Sequence, residues 1–202
     1  MSFLENTRKP VGLGGKLMVS LMNLGHSPVA WWGLRFLNVA PDAKVLDCGC
    51  GGGANIKRLL KKCPQGIVKG IDYSPVSVEK SQRVNADAIA KGRCTILQGS
   101  VAKRIFAEGW FDAVTAFETV YFWPELPQCF HEIHRMLKPG GMFLICNESS
   151  GDTDKDEKWT KIIDGMTIYK DVELKADLEQ AGFRDVQIHK NKWGWLCVTA
   201  RK

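Results

Sequence analysis

At 202 residues, 45% hydrophobic and 25% charged, the chain has the composition of an ordinary globular protein and is long enough to bury one full α/β core. Its net charge of +6 comes from scattered lysines and arginines with no long basic run, which reads as a solvated basic surface and argues against a nucleic-acid partner. No apolar run approaches the ~20 residues of a membrane span, the N-terminal "MSFLENTRKPVGLGGK" lacks a signal-peptide core, and seven cysteines with no C-x-x-C pair fit free thiols in the cytoplasm better than a disulfide framework.

Residues 11–38, "VGLGGKLMVSLMNLGHSPVAWWGLRFL", predict two short helices ahead of the first strand. From Lys44 onward, strand-like runs alternate with helical patterns. "KVLDCG" is a strand, followed by a helical stripe of Ile56, Leu59, Leu60 and Cys63, with Lys61 and Lys62 placed to complement the helix dipole. "GIVKGID" (66–72) is the second strand, and Ser74-Pro75 opens the next helix as N-cap and first helical residue. "CTILQG" (94–99) and "FDAVTAFE" (111–118) are the third and fourth strands.

Leu126, Phe130, Ile133 and Leu137 then share one helical face that "KPGG" (138–141) ends, and "MFLICNE" (142–148) is the fifth strand. The polar stretch 149–170 is read as an insertion. Asp171 is placed as the cap of a helix carrying Leu174 and Leu178 and stopped at Gly182. "FRDVQIHK" and "WGWLCVTA" are separated only by a short turn, so the last two strands must be antiparallel. The alternation predicts a doubly wound α/β domain with ligands at the carboxyl ends of its strands.

The first strand leads into Gly49-Cys-Gly-Gly-Gly-Ala54, which satisfies G-x-G-x-x-A between a strand and a helix. Asp72 closes the second strand, 21 residues after Gly51, where an acid accepts from ribose hydroxyls. To this point a nicotinamide-dependent oxidoreductase fits. Asp47, two residues before the first glycine, weighs against it. A carboxylate there repels a pyrophosphate but attracts an ammonium group, while a carboxylate still fits the helix amides. A ribose, an adenine and a zwitterionic tail together describe S-adenosylmethionine.

"VLDCGCGGG" (45–53), "GIDYS" (70–74), "FDAV" (111–114) and "MLKPGGMFLI" (136–145), in that order, resemble the motifs of class I S-adenosylmethionine-dependent methyltransferases over residues 40–202. The resemblance implies a Rossmann-like methyltransferase fold, with a mainly parallel seven-stranded sheet ending in an antiparallel C-terminal hairpin. It implies one domain over 1–202: an N-terminal helical lid (1–40), a cofactor-binding half (41–148) and a substrate-side insertion with the hairpin (149–202). Carried over by position, Asp47, Gly49, Cys50 and Gly51 contact the methionine part of the cofactor. Asp72 takes the ribose hydroxyls, Tyr73 lies against the adenine, and Phe117 meets the methionine amino group through its backbone. Where the family often has Gly-Asp after the third strand, this chain has Gly99-Ser100-Val101; a serine hydroxyl accepts from the adenine amino group without charge assistance.

Methyl transfer from a sulfonium needs alignment and a dry pocket, and a base only when the acceptor carries a proton to lose. Glu118, after the fourth strand, and Glu148, at the end of the fifth, are the candidate acids or bases. Tyr121, Phe122 and Trp123 form an aromatic cluster beside Glu118, with Tyr121 and Trp123 as candidate pocket residues. No Asn/Asp-Pro-Pro-Tyr or Pro-Cys nucleophile motif and no appended domain point to a macromolecular substrate, so a small molecule, cationic or aromatic, is the expected acceptor. A non-catalytic S-adenosylmethionine-binding module remains an alternative. Other signals are weaker. Cys48-x-Cys50 lacks the further ligands of a metal site, so no metal is expected. "GLGGK" (12–16) lacks the spacing of a phosphate loop. His131 faces away from the apolar helix stripe and His134 lies at its flank, so both read as surface or boundary residues. Trp31 and Trp32 either pack an N-terminal helix or close over the cofactor, and the N-terminal helices serve as a lid or as the contact of a homodimer.

Overall fold

The computed structural model describes residues 27–202. In chain order the elements are α1 (Ser27–Gly33), β1 (Lys44–Cys48), α2 (Ala54–Lys62), β2 (Ile67–Asp72), α3 (Pro75–Val84), α4 (Ala86–Ala90), β3 (Cys94–Gln98), β4 (Phe111–Phe117), a 3-10 turn (Val120–Phe122), α5 (Leu126–Met136), β5 (Leu137–Asn147), α6 (Asp154–Ile162), α7 (Asp171–Gln180), β6 (Arg184–Lys190) and β7 (Leu196–Arg201). The first of the two helices expected in 11–38, and the "GLGGK" stretch, lie outside the described residues.

The strands form one seven-stranded sheet ordered β3-β2-β1-β4-β5-β7-β6. β1 pairs in parallel with β2 and β4, and β2–β3 and β4–β5 are also parallel. β7 runs antiparallel to both β5 and β6, as the short turn between the last two strands requires. β5 begins earlier than expected. Its Leu137 pairs with Phe111, Lys138 bonds Asp112 at 2.6 Å, and the glycine turn sits inside the pairing.

Each sheet face buries its own apolar layer. On one face Val29, Leu34, Ile56, Leu59 and Val78 pack under α1, α2 and α3. On the other, Phe130, Ile133, Leu174 and Leu178 of α5 and α7 meet Phe143, Ile145 and Val198. Ser74 caps α3 by accepting from the Ser77 amide at 3.4 Å, with Pro75 as the first helical residue. Asp171 is the first residue of α7 rather than its cap, and its carboxylate instead accepts from Val172 and pairs with Lys190. The 149–170 segment contains a helix the sequence reading lacked, α6, started where Asp156 accepts from the amides of Gly151 and Thr153. Because β1 lies between β2 and β4, the chain runs outward from β1 to β2 and β3 and then crosses back to β4 on the other side, opening a crevice at the carboxyl end of β1.

Candidate functional site

The Gly49–Gly53 turn occupies that crevice. Gly49 and Cys50 donate their amides to the Ile71 carbonyl at 2.8 and 3.0 Å, and Gly51 donates to Asp72 Oδ2 at 2.9 Å. These bonds pin the turn against β2. Gly49 has φ +75°, and a Cβ there would stand 2.0 Å from Thr119 Oγ1, so conformation and space both demand glycine. With those amides spent on the turn itself, the amides of Gly52, Ala54, Asn55 and Ile56 have no partner among the described residues and mark the open end of α2.

A cavity of about 410 Å³ opens here, within the range of small-molecule sites. Gly49, Cys50 and Gly51, with Asp72 and Tyr73 at the end of β2, form one part of its wall. Ser100 and Val101 after β3, and Phe117, Glu118, Phe122 and Trp123 after β4, complete most of the rest. Ten of the thirteen residues expected at the site therefore line one cavity. Three do not.

Asp47 lies beneath the turn, 1% exposed and outside the wall. Its Oδ1 accepts from Thr115 Oγ1 at 2.7 Å, and its Oδ2 has no partner. Burial pushes the carboxyl up to about 7, with Asp72 adding to the shift and the Thr115 bond and Arg58 opposing it. Glu148 is exposed, because the residue after buried Asn147 turns outward at the strand end; its backbone amide donates to the Glu118 carboxylate, and its charge acts on that same group. Tyr121 is buried behind the wall, where its hydroxyl accepts from the Ser149 amide at 3.0 Å and hydrogen-bonds Glu118.

Glu118 has φ 58°, a left-handed conformation rare for a side chain of this kind, immediately after β4. Burial, then the Glu148 charge, push its carboxyl up to about 8, against the Glu148 amide and the Tyr121 bond. Asp72 is also raised by burial, although the amides of Ser74 and Gly51 oppose the shift. Trp123 Nε1 donates to Thr119 Oγ1 at 3.1 Å, which fixes the ring at the cavity edge. Ser100 Oγ accepts from the Ala102 amide at 3.4 Å.

The wall also includes Val29 and Ala30 of α1, within the segment expected to form a lid, and residues the sequence reading missed, among them Asn55 and Arg58 of α2 and Ser77 of α3. Neither Trp31 nor Trp32 joins the wall. Trp31 lies over the Arg58 guanidinium at 5.4 Å, and Trp32 packs against Phe36 and Trp195. Cys48 and Cys50 belong to the apolar layers of opposite sheet faces, so the two thiols have no shared ligand to hold. His131 is exposed and His134 packs edge-on to Phe183. Among the described residues no helix is long and apolar enough to cross a membrane.

The residues fit S-adenosylmethionine. The open helix amides suit a carboxylate, the unpartnered Asp47 oxygen an ammonium, and the Asp72 carboxylate a pair of ribose hydroxyls. A methyltransferase-domain family profile matches residues 46–145. A cycloartenol-C-24-methyltransferase of Arabidopsis thaliana is 30% identical over 159 residues, covering 73% of this chain and 46% of the relative. Cycloartenol-C-24-methyltransferase 1 of Oryza sativa subsp. japonica is 33% identical over 109 residues, 54% of this chain and 31% of the relative. The chain thus spans less than half the length of these relatives. Among solved structures, a SAM-dependent methyltransferase from Aquifex aeolicus superposes with a TM-score of 0.77 at 19% identity, over 92% of this chain and 97% of the other. Geranyl diphosphate C-methyltransferase from Streptomyces coelicolor A3(2), solved with S-adenosyl-L-homocysteine, gives 0.75 at 16% identity, over 87% and 75%. The chain belongs to the class I S-adenosylmethionine-dependent methyltransferases, and S-adenosylmethionine is its cofactor.

Proposed function

We propose that the protein transfers a methyl group from S-adenosylmethionine to a small-molecule acceptor seated against Glu118, Phe122 and Trp123. The observation that carries this reading is one continuous cavity whose wall joins the glycine turn and Asp72 to Glu118 and its aromatic neighbours. Bound S-adenosylmethionine supplies an electrophilic methyl on a sulfonium. The chain's own residues bind and orient. Asp72 holds the ribose, Tyr73, Ser100 and Val101 enclose the adenine, and the Phe117 backbone meets the amino group beside buried Asp47. Orientation of this kind accounts for as much as ~7–11 kcal/mol of barrier in favourable cases.

Glu118 is the group that handles a proton. The Tyr121 hydroxyl and the Glu148 amide hold its carboxyl in place, and with its pKa pushed up to about 8 it is mostly protonated at neutrality, with a carboxylate fraction that grows as pH rises. Glu148 itself, exposed and outside the wall, is left with a positioning part through that amide. Phe122 and Trp123 favour positive charge by about 0.5–2 kcal/mol per well-placed ring. The sterol and geranyl diphosphate substrates named for two relatives carry large apolar bodies, which the Phe117, Phe122 and Trp123 end of the wall would accommodate. Seven free, buried cysteines suit a reducing, cytoplasmic setting.

The reading is tested by incubating the protein with methyl-labelled S-adenosylmethionine and a panel of small molecules, beside RNA and protein fractions. Label in a small molecule supports it. Label found only in RNA or protein overturns it.

A further inference from the structure

We propose that Arg58 is the counter-ion for the carboxylate of the cofactor's amino-acid tail, an inference that rests on the cofactor assignment above. Among the described residues Arg58 is the one basic side chain in the cavity wall. It lies one helical turn beyond Ala54 in α2, and side chains in a helix tilt toward its N-terminus, so Arg58 projects toward the open amides of Ala54, Asn55 and Ile56. Its direction is fixed. Nη1 donates to Asn55 Oδ1 at 2.7 Å, Nη2 donates to Ser27 Oγ at 2.5 Å, and the Trp31 ring lies 5.4 Å from the guanidinium. A long cation immobilised from three sides beside a cavity has already lost the rotamer freedom that ligand binding would otherwise cost.

Asp47 supplies the second half of the argument. Asp47 and Arg58 each feel the other's charge, yet they form no ion pair. Asp47 Oδ2 is buried and unpartnered, while Arg58 and the glycine turn both line the cavity. A zwitterion completes this arrangement in one orientation, with its ammonium toward Asp47 and its carboxylate toward Arg58 and the helix amides. A guanidinium suits a carboxylate through parallel N–H donors, which a lysine in the same place would not reproduce. Because Ser27 and Trp31 belong to α1, which also contributes Val29 and Ala30 to the wall, the same side chain ties that helix to the cofactor end of the cavity.

The test is calorimetric titration of S-adenosylhomocysteine and of 5′-methylthioadenosine, which lacks the amino-acid tail, into the wild type, Arg58→Gln and Arg58→Lys. Loss of a charge-assisted bond predicts that Arg58→Gln binds S-adenosylhomocysteine about 10–100-fold more weakly. Its 5′-methylthioadenosine affinity should stay within about threefold of wild type, since the adenosine site is untouched and charge-assisted bonds are specific to the tail. Arg58→Lys should recover only part of the loss. Unchanged S-adenosylhomocysteine binding in Arg58→Gln, or an equal fall for both ligands, overturns the assignment of Arg58. Failure of the wild type to bind either ligand would instead overturn the cofactor reading beneath it.

Discussion

A carboxyl as buried as that of Asp47 resists ionisation, and the linkage has a definite sign. With its pKa raised from 3.8 to about 7, the folded protein holds more protons at Asp47 than the unfolded chain does between these values. That contribution to stability is fully present below the unfolded pKa and is lost as pH rises through about 7. Asp47→Asn keeps an acceptor for Thr115 and removes the buried charge. The ligand-free variant should therefore melt higher than wild type at pH 8, by about 2–4 °C per kcal/mol relieved, with the difference shrinking toward pH 5. It should also bind S-adenosylhomocysteine more weakly. Melting curves at the two pH values check the first point, and an unchanged or lower melting temperature at pH 8 contradicts it. Glu118 makes a parallel case for activity. If its carboxylate accepts the proton, kcat/KM rises with pH toward an ionisation near 8 and levels off above it. Glu118→Gln should remove that ionisation and lower kcat by about 10²–10⁴-fold while cofactor affinity stays near wild type. Asp72 and Glu118 were legible in the sequence because each ends a strand of a parallel sheet, where ligands gather. Arg58 was not, because beside Lys57, Lys61 and Lys62 it looks like one more charge on a solvated helix face.

At the scale of elements, α1 shows how a short helix is held against the sheet by absence of side chain. A Cβ on Gly33 would stand 2.4 Å from Cys146 Sγ, 2.9 Å from Cys146 Cβ and 3.2 Å from Phe117 Cε1. Gly33→Ala must therefore push α1 off β5, at a cost of about 1–3 kcal/mol for overpacking. Because α1 supplies Val29 and Ala30 to the cavity and Ser27 to Arg58, cofactor affinity should fall with stability. Cys146→Ala removes the clashing sulfur, so adding it to Gly33→Ala should restore part of both losses, even though it opens space of its own in the wild-type background. Denaturant unfolding of the four proteins in this cycle measures the coupling; strict additivity would mean the crowding is relieved elsewhere. Of this arrangement the sequence offered only a glycine after two tryptophans, since contacts between residues 33 and 146 have no local signature. The start of α6 was closer to legible. Thr153 and Asp156 have the spacing of a capping box, but acidic, polar neighbours hide the short apolar set of Trp159, Ile162 and Ile163.

Across the whole molecule, topology was more legible than contact. Alternating strands and helices dictate a parallel sheet, and the short link between β6 and β7 dictates their antiparallel pairing. The insertion of β7 between β5 and β6 was not readable, because it depends on which strand edge remains open once β1 to β5 have assembled. The cavity inherits the same division. Its floor, the Gly49–Gly53 turn, is local in sequence, whereas its wall draws on α1, α2 and the ends of β2, β3 and β4. A ligand that binds only this assembled state must stabilise the fold as a unit. At a free concentration 100 times its Kd the gain is ~2.7 kcal/mol, which raises Tm by about 5–11 °C for a chain of this size. S-adenosylhomocysteine should produce that shift, and NAD at the same concentration should leave Tm within about 1 °C, since a pyrophosphate would face the Asp47 carboxylate. Hydrogen exchange should locate the same effect. Added protection belongs to α1, the glycine turn and residues 118–124, which come together only at the cavity, while β6, an edge strand with mostly exposed residues, should exchange as before. A uniform gain over all strands would mean global stabilisation without a defined site. A shift with NAD but none with S-adenosylhomocysteine would reverse the reading of Asp47, on which the placement of the tail depends.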